Sequence, residues 1–193
     1  LNTKSRIVQT AVQLFNDQGI GKVSTNHIAA AASMSPGNLY YHFKNKSEII
    51  QAILLDMYEE WNEVWSLPEH VTLTQQHLGQ KLLMNFDILW RYRFFYREAL
   101  SLFQADEALR LLHTEMMNTR LVEQEAFIRR FITDGVLRIE ADSEQLQKLL
   151  IACWIIANNW LSFLEMNGQP VDEASFTNGV GLIWAILDPY LVK

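Results

Sequence analysis

Apolar residues recur three and four positions apart almost from end to end of the chain, the spacing that lines one face of an α-helix. No stretch alternates with the two-residue period of a strand, so the pattern predicts an all-α protein. A first helix is expected from Thr3 to Gln18, with Ile7, Ala11, Leu14 and Phe15 on one stripe and Gly19 as its stop. A second opens at Ser24 or Thr25, turns Ile28, Ala29 and Ala32 inward and ends near Ser33. The third is short: Ser35 is a good N-cap, Pro36 is preset for the first helical position, and Leu39 and Phe43 lie one turn apart on the buried side. A fourth starts near Lys46, carries Ile50, Leu54, Met57, Trp61 and Trp65 inward, and ends before Pro68. Helices are then expected over about 73–94, 96–103 and 106–133, the last stopped by Gly135. Asp142 or Ser143 should cap the next, which runs to Asn167 ahead of the Gly168-Gln169-Pro170 break, and a final helix spans about 172–190. That makes about nine helices. The defensible boundary falls near the start of the fourth, giving a small module over 1–48 and a body over 49–193, with the fourth helix crossing the join.

A chain of 193 residues accommodates such a pair of domains. With 49% hydrophobic and 20% charged residues it has the composition of an ordered globular protein and not of a disordered one. The longest unbroken apolar run, Leu149 to Ala157, falls well short of the roughly 20 residues of a membrane span, so no membrane partner is expected. The polar start, Leu1 to Arg6, does not read as a signal peptide, and the single cysteine, Cys153, allows no internal disulfide. Both point to the cytoplasm.

Charge changes the picture more. The formal net charge is −6, which argues against a nucleic-acid partner until its distribution is read. Through residue 48 five basic residues (Lys4, Arg6, Lys22, Lys44, Lys46) face two acidic ones (Asp17, Glu48), a local +3 that leaves −9 on the rest. A small cationic module on an acidic body suits a steered DNA contact, with chance asymmetry as the plainer alternative.

Residues 24–46 then carry the chemistry. Two short helices joined at Ser33-Met34 match a helix-turn-helix, whose second helix enters the major groove of duplex DNA. With Leu39 and Phe43 committed inward, Gly37, Asn38, Tyr40 and Tyr41 must face out, and two adjacent outward tyrosines are costly to expose without a partner. Their hydroxyls can bond phosphate oxygens and their rings can lie on sugars and thymine methyl groups. The segment Gly37-Asn38-Leu39-Tyr40-Tyr41-His42-Phe43, with Lys46 following and Thr25 and Ile28-Ala29 preceding, resembles the DNA-binding signature of the TetR family over roughly residues 3–55. The resemblance implies that Thr25, Tyr41, His42 and Lys46 hold phosphates while Ser35, Pro36, Gly37, Asn38 and Tyr40 face the groove. Plainer roles stand beside these: Tyr40 half-buried in the core, His42 closing its helix, His27 and Lys44 merely solvated. One departure is the run Ala29 to Ser33, where the family often has an acidic residue and a turn glycine; the expectation is a changed surface and an unchanged fold.

The body holds all six tryptophans. The eighth helix is apolar on every side between Leu149 and Ala157 and must be covered on every side. With Trp154, and with Phe176, Val180, Ile183, Trp184 and Leu187 of the last helix, it looks similar to the pair of helices through which TetR-family subunits form homodimers; a monomer whose last helices close its own core is the alternative. Trp61, Trp65, Phe86, Trp90, Phe103, Met116 and Met117 form a greasy set that could line a cavity or simply make core, and the resemblance implies a small-molecule effector there. Asn158, beside Asn159, could face such a ligand, cross a dimer or mark a wet edge. No catalytic residues, cofactor or metal are expected, because Cys153 sits among apolar residues, no His-His or His-carboxylate pair has metal-ligand spacing, and no glycine-rich phosphate loop occurs. The expected function is a repressor released from a palindromic operator by an apolar effector, against the alternatives of an enzyme or a helical adaptor.

Overall fold

A computed structural model describes residues 2–140 and 144–192, so the expected caps Asp142 and Ser143 lie outside the described residues. Among those described, the α-helices are α1 (Thr3–Gln18), α2 (Thr25–Ala31), α3 (Pro36–His42), α4 (Lys46–Trp65), α5 (Gln75–Arg91), α6 (Arg93–Ala105), α7 (Glu107–Thr133), α8 (Glu144–Met166), α9 (Glu173–Thr177) and α10 (Val180–Leu187), with 3-10 turns at Ile20–Lys22 and Asp188–Tyr190. The chain is all-helical; one isolated bridge pairs Leu137 with Leu191.

Two differences from the sequence expectation have identifiable structural causes. The sixth helix starts earlier and runs longer than 96–103, because Asn16 Oδ1 accepts from the Phe94 N–H at 3.0 Å and its amide donates to the Arg91 carbonyl at 2.8 Å. The final helix, expected unbroken, is the two segments α9 and α10, joined by tighter bonds from Gly179 to Phe176 and from Leu182 to Gly179. The backbone there passes so close to other rings that a Cβ on Gly179 would lie 2.5 Å from Trp160 and 2.6 Å from Phe86.

The residues form two compact units, Leu1–Glu59 with Arg91–Thr114, and Glu60–Trp90 with Glu115–Lys193. In the first, Ile7, Ala11, Phe15, Ile28, Leu39, Ile49 and Ile53 make the core. Asn2, Ser24 and Ser35 cap the first three helices through their side chains, and Gly19 ends α1 with φ +81. α6 belongs to this unit: besides the Asn16 bridge, Glu98 accepts from the Ile20 N–H at 2.9 Å. In the second, Phe176 lies against Phe86 and Trp90 at 5.4 and 5.5 Å between ring centres, and Leu73, Phe131, Leu161 and Ile183 are buried.

α8 is long and apolar, and little of it is buried within the chain. Only Leu146, Leu161 and Leu164 are buried, while Ile151, Ile155 and Phe163 stand at least half exposed.

Candidate functional site

The helix-turn-helix is built from its caps outward. Ser24 Oγ accepts from the His27 N–H and His27 Nδ1 accepts from the Ser24 N–H, a reciprocal box that fixes where α2 begins. The turn is closed by Ser33 in the left-handed region at φ +53. Thus the departure noted at Ala29–Ser33 touches the backbone: a residue with a Cβ occupies a conformation that favours glycine. Ser35 Oγ accepts from the Asn38 N–H at 3.2 Å and starts α3, whose Leu39 is fully buried. Phe43, just beyond α3, is buried under the Lys4 ammonium, 5.5 Å above its ring.

With that side fixed, Ser35, Pro36, Gly37, Asn38, Tyr40 and Tyr41 are all exposed on the other, Tyr41 at 84%. Tyr40 is 48% exposed, and its hydroxyl shares a 2.9 Å hydrogen bond with Thr25 Oγ1. The bond ties the start of α2 to the outer face of α3, so Thr25 and Tyr40 are positioned together. His42 is half-buried with Tyr41 edge-on to its ring at 5.1 Å.

Lys46 is placed differently from a free phosphate ligand. Its ammonium donates to the carbonyls of Ile20 at 2.8 Å and Val23 at 3.0 Å, pinning the turn before α2 to the start of α4. The α4 N-terminus is also internally occupied: Asn45 accepts from the Glu48 N–H, Glu48 accepts from the Lys44 N–H, and Ser47 donates to Asp106. The Asp106 carboxyl, bonded by Ser47 and by the Leu109 N–H, is held below the usual carboxylate range. Lys22 and Lys44 are exposed cations of this unit.

In the body, Phe176, Val180, Ile183 and Leu187 are buried within the chain itself, and Trp154 is half-buried with its indole donating to Gln124. Trp184 is half-buried, and a Cβ on Gly79 would lie 3.3 Å from it. Four of the six residues expected at a dimer seam are thus covered by their own chain, while Trp154 and Trp184 keep part of their surface outward. Outward apolar residues of the last helices include Ile151, Ile155 and Phe163 on α8, four and eight residues apart along it, and Leu182 on α10 beside exposed Gly181 and Ala185. Asn159 stands in the same α8 row, its amide donating to the Ile155 carbonyl at 2.8 Å.

Of the greasy set, Trp61 and Phe86 are buried and Trp65, Trp90, Met116, Met117 and Asn158 half-buried in the second unit. Trp65 packs edge-on to Phe127 at 5.1 Å. Phe103 belongs to the first unit, its ring 4.7 Å from that of His113. Sequence reasoning passed over three polar residues. His113 shares a hydrogen bond with the Tyr58 hydroxyl, and burial among Phe95, Phe103 and Tyr58 pushes its pKa down to about 4. Arg120 is 3% exposed and Gln124 6%. Each sits where the helical repeat of α7 turns inward, and a polar residue at an inward position is the signal that would have found them. Burial lifts the Cys153 thiol to about 11, which leaves it unreactive at neutral pH. Among the described residues, no group of three or more His, Cys, Asp or Glu side chains could hold a metal ion.

Comparison with known proteins follows these two regions. Residues 7–53 match the family described as bacterial regulatory proteins, tetR family, and residues 56–193 match a bacterial transcriptional repressor family, TetR. The crystal structure of a TetR-family transcriptional regulator from Marinobacter aquaeolei VT8 is 30% identical, covers 100% of this chain and 92% of that one, and superposes with a TM-score of 0.88. The probable HTH-type transcriptional regulator YttP of Bacillus subtilis is 28% identical over 142 residues, 70% of this chain; the match spans 65% of that protein's length. The same fold recurs at 20% identity and a TM-score of 0.65 in the SmeT-triclosan complex, over 99% of this chain and 92% of that one.

Proposed function

Since this chain belongs to the TetR family of bacterial transcriptional regulators, we propose that it is a cytoplasmic repressor that grips a palindromic operator as a homodimer and releases it when a small, mostly apolar molecule binds the body. The observation that carries the DNA contact is the exposed face of α3, six residues from Ser35 to Tyr41 turned outward around a buried Leu39. In this reading Ser35, Pro36, Gly37, Asn38 and Tyr40 meet the groove, with Asn38 reading a base edge, while Thr25, Tyr41 and His42 meet phosphates. Lys46 contributes by holding the start of α4 against the turn before α2.

The homodimer is supported by the exposed α8 row and the adjoining Gly181, Leu182 and Ala185 of α10, where small residues let helices approach closely. A two-fold pair presents two α3 helices to symmetric half-sites, hence the palindrome. An effector is supported by the aromatic and methionine content of the body and by a protein of the same fold seen with triclosan.

The test is selection of bound fragments from the parent genome, followed by binding at several salt concentrations. A palindromic site whose affinity falls steeply with salt is expected. Tyr41→Ala should weaken every sequence alike, whereas Asn38→Ala should relax preference at one or two base pairs at about 1–3 kcal/mol each. Affinity independent of salt would favour a protein partner over DNA.

A further inference from the structure

On the outward face of α3 the hydrogen-bonding groups are unevenly committed. Ser35 Oγ serves as the cap of its own helix, accepting from the Asn38 N–H at 3.2 Å. The Tyr40 hydroxyl shares its 2.9 Å bond with Thr25 Oγ1. Pro36 and Gly37 carry no polar side chain. That leaves the Tyr41 hydroxyl, a single-point group at the end of a ring, and the Asn38 carboxamide, which is exposed and engaged by nothing among the described residues. Only the carboxamide holds a donor and an acceptor side by side.

Asn38 is also firmly held at its backbone. The Ser35 cap fixes its N–H, and Leu39 beside it is fully buried. A short side chain on so fixed a backbone reaches a base edge only if the helix itself comes close. Gly37 supplies that room. Its φ lies outside the left-handed region, and a Cβ there would meet nothing nearer than Ser35 Oγ at 4.0 Å, so the fold has no need of a glycine at this place. Glycine is disfavoured in a helix against alanine, hence an outward Gly37 is explained by what approaches from outside.

The base edges then decide the partner. In the major groove adenine sets its N7 acceptor beside its N6 donor, guanine offers two acceptors, cytosine one donor, and thymine one acceptor with a methyl group. A carboxamide therefore meets two groups of adenine and one of any other base. The bidentate readers of guanine, Arg and Lys, do not occur from Ser33 through His42, and Lys46 is committed to the Ile20 and Val23 carbonyls. We propose that Asn38 reads an adenine in each half-site by its N6 and N7 edge, with the bare backbone at Gly37 letting α3 sink far enough for the carboxamide to arrive. The inference rests on reading α3 as the DNA-contacting helix and adds the base pair that it selects.

The test starts from a pool of duplexes randomised over about 20 base pairs, two half-sites' worth, from which the full-length protein selects. The wild type should enrich one palindrome. Asn38→Ala should enrich the same palindrome with preference lost at one A·T pair in each half. On the enriched duplex, 7-deazaadenine at that position in both halves removes the N7 acceptor alone. It should weaken wild-type binding about tenfold and leave Asn38→Ala unchanged. Gly37→Ala should fold with an equal or raised thermal midpoint and lose the same discrimination, because its methyl group holds α3 away from the bases. An Asn38-dependent pair that proves to be G·C, a 7-deazaadenine penalty equal in both proteins, or an adenine preference kept in full by Gly37→Ala would each overturn the inference while the enriched palindrome left the DNA contact standing. Enrichment of no duplex at all would overturn the DNA contact and this inference with it.

Discussion

The recognition helix α3 and the body helix α8 use apolar residues in opposite ways. In α3 a single residue, Leu39, is fully buried, covered with Phe43 just beyond it by neighbours in the same unit; His42 is half-buried and the rest is exposed. In α8, 23 residues long, three are buried and a row of large apolar side chains stays exposed. A narrow stripe can be completed by short helices nearby in sequence, but a helix apolar all round needs cover on every side, and one copy of this chain supplies only part of it. The difference separates an exposed polar and tyrosine-bearing face from an exposed apolar one, in line with the proposed DNA contact and the proposed dimer seam.

The largest way to break that comparison is Ile155→Asp. A charge placed in the proposed seam should cost several kcal/mol when buried unpaired. The protein should then sediment as a monomer at micromolar concentration with its helical circular dichroism intact. A persistent dimer would move the interface off α8.

The second test uses pH and acts on the first unit alone. His113 has its pKa lowered to about 4 by burial, against 6.5 when free. The folded state therefore resists protonation that the unfolded state accepts. Its contribution is fully present above about 6.5 and is lost as pH falls toward about 4, roughly 2 kcal/mol after allowance for solvent screening. His113→Phe should flatten that stretch of the stability curve in denaturant titrations; an unchanged slope would show that other groups govern it.

The third test contrasts two glycines two residues apart. Gly179→Ala drives a methyl group into Trp160 and Phe86 and should cost about 1–3 kcal/mol, read as a lowered thermal midpoint. Gly181→Ala meets nothing within 4 Å inside the chain and gains helix propensity, so a monomeric background should be as stable or up to about 1 kcal/mol more stable while dimerisation weakens. Equal effects in both assays would erase the distinction between a covered and an open face of α10.

The smallest expected effect is at the turn. Ser33→Gly relieves a left-handed serine and should stabilise by about 1 kcal/mol without altering operator preference. Loss of affinity would show that the Ser33 side chain itself meets DNA.

What the sequence determined by itself was whatever depends on neighbours a few residues apart. The stop at Gly19, the caps at Ser24 and Ser35, Pro36 at the first position of α3 and the outward set around Leu39 all follow from local stereochemistry and one helical period. Tertiary structure decided what depends on residues far apart. Lys46 finds its carbonyls more than twenty positions back, Asn16 finds α6 more than seventy positions on, and Arg120 meets Asn62 across a separation of 58. The proposed α8 seam turns on the same distinction. The apolar pattern marked Phe176, Val180, Ile183 and Leu187 as residues to be buried, and only the folded chain showed that its own core had already covered them and left Ile151, Ile155 and Phe163 outside. Hydrophobicity fixes that a side chain leaves water; which surface receives it is settled by packing, a property of the whole chain.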